Sequence, residues 1–276
     1  MRYVKRFVAN HLPKLDLVFA LFVLCSAVLL KNIRKAGIHR MPICRKVLLY
    51  VGVFPIVNHY YEPEFDFRKK RNSIFIDRKM GGINLNTEEQ LELVKKLKYA
   101  DELKDVSRNR KDELTFYMNN GEFESGDAEY WYQVLRYFKP KKIFEIGSGN
   151  STLMAINAVR KNMEDVSGYQ CKHLCIEPYE MPWLEKTGLE IIRKKVEEVD
   201  VELFQELEFG DLLFIDSSHM IRPEGDVVYE FLQLLPTLNE GVIVHVHDIF
   251  TPKNYPDSWV KDRNRFWNEQ YLLGDF

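Results

Sequence analysis

Midway along the chain a short apolar run, Lys142-Ile-Phe-Glu-Ile146, meets a glycine pair, Gly147-Ser-Gly149, and a helical pattern follows from Thr152 to Lys161. A strand that turns into a helix through glycine leaves few architectures open, because the helix must pack back over a sheet. The alternation continues downstream. His173–Glu177, Leu189–Ile192, Asp211–Ile215 and Gly241–Val246 read as strands, and Trp183–Lys186, Val201–Leu207 and Val227–Leu235 as the helices between them. Leu212-Leu-Phe-Ile215 is unbroken apolar sequence, as strands buried on both faces are. The expected fold is therefore α/β, a Rossmann-like, doubly wound, mostly parallel sheet with right-handed crossovers.

Ligands of such sheets bind beyond the carboxyl ends of the strands. Four of those ends carry conspicuous groups: Glu145, Gly147 and Gly149 after the first strand, Glu177 after the second, Asp216-Ser-Ser-His219 after the fourth and His247-Asp248 after the fifth. Gly147 and Gly149 allow a sharp turn and a close approach of backbone to ligand. Glu177 stands where a carboxylate accepts hydrogen bonds from a ribose diol. The loop lacks a third glycine, and Ser151 or Thr152 stands nearby instead. Asp216, His219 and Asp248 are candidates for acid/base work or for holding a hard cation, although their spacing selects no metal geometry. A divalent metal is thus possible but not expected. His245 reads as a strand residue facing the core or a helix. Cys171-Lys-His-Leu-Cys175 has a metal-like look, yet Leu174-Cys175-Ile176 reads as a buried strand in which cysteine is a small hydrophobe.

The 276 residues have room for this domain and an extension. We expect a basic, apolar helical segment over 1–60, a helical cap or linker over 61–125, and the Rossmann-like domain over 126–276. Leu17–Leu30 is apolar except for Ser26, shorter than the roughly 20 residues a spanning helix needs, and flanked by Lys14, Lys31, Arg34 and Lys35. That pattern suits a helix on an anionic membrane face, with contact through residues 1–50. A buried core helix, a signal peptide and a true span are the alternatives. Residues 40–82 read as irregular, punctuated by Pro42, Pro55, Pro63 and Gly81-Gly82. Within them His59, Tyr60 and Tyr61 form a polar aromatic loop suited to capping the site or binding acceptor. Asn86 or Thr87 caps a helix, and another runs from Gly126-Asp127 to Pro140. A net charge of −2 and the absence of a basic–aromatic stripe argue against nucleic acid as a partner.

Taken together, Phe144-Glu-Ile-Gly-Ser-Gly149 with Ser151, Ile176-Glu-Pro178, Phe214-Ile-Asp-Ser-Ser-His219 and Gly241-Val-Ile-Val-His-Val-His-Asp248 resemble class I S-adenosylmethionine-dependent methyltransferases, over about residues 125–252. The subgroup they resemble is the bacterial small-molecule and sugar O-methyltransferase-like proteins labelled methyltransferase family 24. The resemblance implies that Glu145, Gly147, Gly149, Ser151, Glu177 and Asp216 line the cofactor. It implies S-adenosylmethionine as that cofactor and a small-molecule or glycan acceptor. Metal-dependent relatives place carboxylates or amides at the positions of Asp216, His247 and Asp248. The histidine at 247 departs from that set, so no metal is assigned. His219 is expected as the base and Asp248 as its orienter or substitute, in a protein at the cytoplasmic face of the membrane. The rivals are an NAD-type oxidoreductase or epimerase, whose third glycine and Tyr-x-x-x-Lys pair are missing from the domain, and a non-catalytic cofactor-binding scaffold.

Overall fold

The computed structural model describes residues 12–58, 61–63 and 76–273. The chain divides into two compact units, Met1–Arg71 and Asn72–Phe276.

Among the described residues, the first unit holds two α-helices, α1 (Asp16–Ala36) and α2 (Pro42–Val51). With the turn that precedes it, α1 is a 24-residue helical stretch, Pro13–Ala36, long and apolar enough to cross a membrane by length and composition. At about 1.5 Å per residue it reaches roughly 36 Å, against about 30 Å of hydrocarbon. The sequence expectation of a run too short to span counted only Leu17–Leu30. The helix continues through Lys31, Arg34 and Lys35, which are good helix formers and suit its carbonyl end. No residue of α1 is buried, and Leu17 is 85% exposed, so α1 is not the buried core helix that was the alternative. The expectation of irregular structure from residue 40 is corrected by α2. Pro42 sits in the first turn of that helix, where a missing N–H costs nothing. Gly52, at φ +78°, ends it by donating to the Leu48 carbonyl at 3.0 Å. Arg34 Nε donates to Glu62 Oε1 at 3.0 Å within the same unit. Tyr61 is exposed, while His59 and Tyr60 lie outside the described residues.

The second unit opens with α3 (Thr87–Lys96). Asn86 heads that helix at φ 47° without a side-chain cap, and its own N–H is taken by Asn84 Oδ1 at 3.0 Å. Then come α4 (Asp127–Phe138), β1 (Lys142–Ile146), α5 (Asn150–Asp165), β2 (Lys172–Ile176), β3 (Glu190–Ile192), β4 (Leu212–Ile215), α6 (Asp226–Tyr229), β5 (Ile243–Val246) and α7 (Gln270–Leu273). The strands form one wholly parallel sheet in the order β3-β2-β1-β4-β5. The order reverses between β1 and β4, which is where a crevice opens in sheets of this kind. Val201–Glu206 is 3-10 rather than α-helical, and α6 passes directly into a π-helical turn at Glu230–Leu234.

Period-two alternation sorts the core into two layers. Ile143, Leu212 and Phe214 face α4 and α5, where Trp131, Leu135, Leu153 and Met154 are nearly or fully buried. Phe144, Ile146, Leu213 and Ile215 face Phe204, Leu207 and Leu234. A fully buried large apolar side chain is worth about 1.5–3 kcal/mol, so these layers outweigh any single polar contact in the domain. Behind α4, Arg136 is 2% exposed and takes both oxygens of Glu102, at 2.7 and 3.0 Å, and also pairs with Asp165. The Arg136 hydrogen bond holds the Glu102 carboxyl below its ordinary range, outweighing burial. That tie fixes the segment before α4 against the sheet's helical layer.

Candidate active site

A cavity of about 380 Å³ opens at the carboxyl ends of β1, β2 and β4, within the roughly 300–1,000 Å³ of small-molecule sites. Gly147, Glu177 and Asp216 line it, as the sequence led us to expect. Gly147 has φ +78°, and a Cβ there would lie 1.9 Å from the Asp216 carbonyl oxygen, so only glycine fits. Its N–H donates to the Ile176 carbonyl at 3.0 Å, pinning the loop across β2. Gly149 is different: its backbone is extended, and an added Cβ would make ordinary contact with Met181 at 3.6 Å. The residue standing for a third glycine is Thr152, fully buried, whose hydroxyl accepts the Gly149 N–H at 3.1 Å and closes the first turn of α5.

Three residues expected around the cofactor do not line this cavity: Glu145, Gly149 and Ser151. Glu145 shares the face of β1 that carries Ile143, so its carboxylate points under the glycine loop. There it is fully buried, with His173 Nε2 at 2.9 Å and the Cys175 thiol at 3.7 Å. Ser151 is buried in α5, and its carbonyl accepts the Trp131 indole N–H at 3.3 Å. Glu177 is held by its own turn, with Oε1 accepting the amides of Tyr179 and Glu180 at 2.9 and 2.8 Å.

Beyond β4 and β5 the remaining expected residues converge. His219 is 4% exposed, and its Nε2 lies 3.2 Å from Asp216 Oδ1 and 3.9 Å from Asp248 Oδ2. Its Nδ1 lies 2.7 Å from Glu269 Oε2. Both His219 (φ +59°) and Asp248 (φ +57°) sit in the left-handed region, a strain that functional loops concentrate. Burial opposes a charge on the His219 ring, but hydrogen bonds to Asp216 and Glu269, and then their charges, outweigh it and hold the ring up to about 10. Burial raises Asp248, against the pull of His247 and His219. His245 rests on Phe214 and Trp131 at 4.9 and 5.3 Å, and burial pushes it down to about 4. It is a neutral strand histidine packed against a helix, as expected.

The donor atoms of Asp216, His219 and Asp248 lie within 4.8 Å of one another. Two carboxylates and an imidazole backed by a further carboxylate form a set that fits a divalent cation. His247 is not part of it; its ring packs against Phe123 at 5.1 Å. Sequence reasoning missed Glu269 and Asp226. Asp226 accepts the Ser218 amide and hydroxyl at 2.8 and 2.7 Å and lines the cavity. Its place at the head of α6, after Gly225, was the one available signal. Glu269 lies fifty residues from His219, in a tail with no motif.

A family model described as a methyltransferase domain matches residues 144–249. A protein of Archaeoglobus fulgidus described only as uncharacterized is 32% identical, over 56% of this chain and 74% of its own. No solved structure matches.

Proposed function

The chain belongs to the methyltransferase family whose domain it carries, and on that premise we propose that it transfers a methyl group from S-adenosylmethionine to an oxygen of a small molecule or glycan. The observation that carries the proposal is the cavity at the switch point between β1 and β4, with Gly147 at its floor and Glu177 on its wall. Gly147 keeps backbone rather than side chain against the donor. Glu177, fixed through one carboxylate oxygen, has the other to accept the ribose hydroxyls. When bound, the sulfonium supplies an electrophilic methyl group suited to in-line displacement.

The acceptor hydroxyl belongs over β4 and β5, beside Asp248. His219, held as an imidazolium between two carboxylates, has no vacancy for a proton. We therefore move the base from His219 to Asp248, whose burial makes it a better proton acceptor, and assign His219 to orienting Asp248 and Asp216. Asp248 would take the acceptor hydroxyl's proton as the methyl group passes from its sulfur to that oxygen. Alignment of donor and acceptor supplies most of the remaining rate.

A second reading is favoured by the close donor set. A divalent cation held by Asp216, His219 and Asp248 would acidify the acceptor hydroxyl directly. Activity abolished by a chelator and restored by magnesium or manganese selects this reading; activity indifferent to chelator selects the first. The exposed apolar helix α1, with basic residues at both flanks, supports work at the cytoplasmic face of a membrane. Calorimetry with S-adenosylmethionine tests the cofactor, and no binding at millimolar concentration sinks the proposal. Labelled cofactor incubated with envelope and cytosolic fractions then reports which pool holds the acceptor.

A further inference from the structure

The two cysteines with a metal-like spacing in the sequence part company in the fold. Cys171 stands before β2, its thiol 3.8 Å from the Lys172 carbonyl. His173 and Cys175 lie two apart on β2, so both face one side of the sheet. In the register of β1 with β2, Ile143 pairs with His173 and Glu145 with Cys175. One face of two neighbouring strands therefore gathers a carboxylate, an imidazole and a thiol. Glu145 and Cys175 are fully buried and His173 is 6% exposed. The layer they share with Ile143, Leu153 and Met154 is otherwise apolar.

The Glu145 carboxylate is only half satisfied there. Its Oε2 meets His173 Nε2 at 2.9 Å and Cys175 Sγ at 3.7 Å. Its Oε1 is buried and has no hydrogen-bond partner among the described residues. A carboxylate in a core is costly unless it is paired, hydrogen-bonded or bound to a metal, and an apolar side chain would fill the place without that cost. The three donor atoms lie within 4.8 Å of one another. Around a tetrahedral zinc, with bonds of about 2.0–2.3 Å, donors stand about 3.3–3.8 Å apart. The oxygen–sulfur distance already matches, and the oxygen–nitrogen distance has to widen by roughly 0.4 Å. Nitrogen, sulfur and carboxylate oxygen together suit zinc, whereas magnesium and calcium prefer oxygen alone.

We propose that Glu145, His173 and Cys175 hold a zinc ion beneath the glycine loop. The ion ties β1 to β2 just before the turn, where the Gly147 amide crosses to the Ile176 carbonyl. It is a structural brace, separate from the set made by Asp216, His219 and Asp248, and it depends on neither the methyl donor nor the acceptor.

The test uses the full chain produced in medium supplemented with zinc or with cobalt. Dialysis against EDTA then removes exchangeable ions, including any at Asp216, His219 and Asp248. Metal content by mass spectrometry should be close to one ion per chain, and the cobalt form should show the thiolate-to-cobalt charge-transfer band in the near ultraviolet. A variant with Cys25, Cys44 and Cys171 all replaced by serine should keep the band, since Cys175 supplies the thiolate. Cys175→Ala and His173→Gln, each shown by thermal melting to be folded, should retain less than about a tenth of the metal, because losing a ligand costs at least as much as losing one of its supports. The proposal is overturned if wild type keeps no metal after dialysis, if its cobalt form lacks the band, if the band disappears from the triple serine variant, or if folded Cys175→Ala keeps its metal. None of these readings involves S-adenosylmethionine, so a failure of the cofactor assignment would leave them standing.

Discussion

The two halves of the site are built by different means. Around β1 and β2 the chain uses backbone: a glycine whose φ and close contact admit no side chain, an amide pinned across a strand, and a carboxylate clamped by its own turn. Around β4 and β5 it uses side chains from three separate segments, ending with Glu269, to hold one histidine. A half made of backbone tolerates almost no change at one position and much change elsewhere. A half made of side chains spreads its cost over many positions, each altering chemistry more than fold.

That contrast can be broken or sharpened by substitution. Gly147→Val should have the largest effect. It forces a Cβ into the Asp216 carbonyl and an unfavourable φ, so cofactor binding by calorimetry should vanish and the melting temperature fall. Asp248→Asn should lower kcat by about 10²–10⁴, the usual range for a removed base, with cofactor affinity intact; equal losses in both would erase the distinction between the halves. Glu177→Gln should weaken cofactor binding about tenfold, with kcat at saturation nearly unchanged, in line with roughly 1.5–3 kcal/mol for a hydrogen bond to a charged group.

The His219 cluster should also be visible in stability against pH. The folded ring titrates well above its unfolded value, so its contribution is complete below about 6.5 and is lost as pH rises toward about 10. Chemical denaturation in chelator should show wild type declining over that window and His219→Gln declining less. The smallest effect belongs to Gly149→Ala, for which space and backbone both permit a methyl. It should cost under about 1 kcal/mol; a loss as large as that of Gly147→Val would mean that the loop acts as a whole.

The same contrast governs what could be read from sequence. The strands were legible because a sheet covered on both faces makes continuous apolar runs, and Gly147, Glu177 and Asp216 follow from position at strand ends. Position alone does not say which face a residue takes. Glu145 alternates with Phe144 and Ile146, and that parity puts it under the loop beside His173 rather than in the cavity. Pro42 was read as a breaker because its composition signal is the same at the first turn of a helix as in a loop. Glu269 has no local pattern at all; only the folded tail brings it to His219.

Asp216 belongs to both halves. Its carbonyl lies where a Cβ of Gly147 would be, its amide donates to Ile146 at 2.8 Å, and its carboxylate faces the His219 ring. On the function proposed above, donor and acceptor would both meet this residue, and their affinities would be thermodynamically linked. Whatever factor the donor applies to acceptor binding, the acceptor must apply to donor binding. Such a coupling, carried by one shared aspartate, would be equal in both directions and would leave the order of entry open.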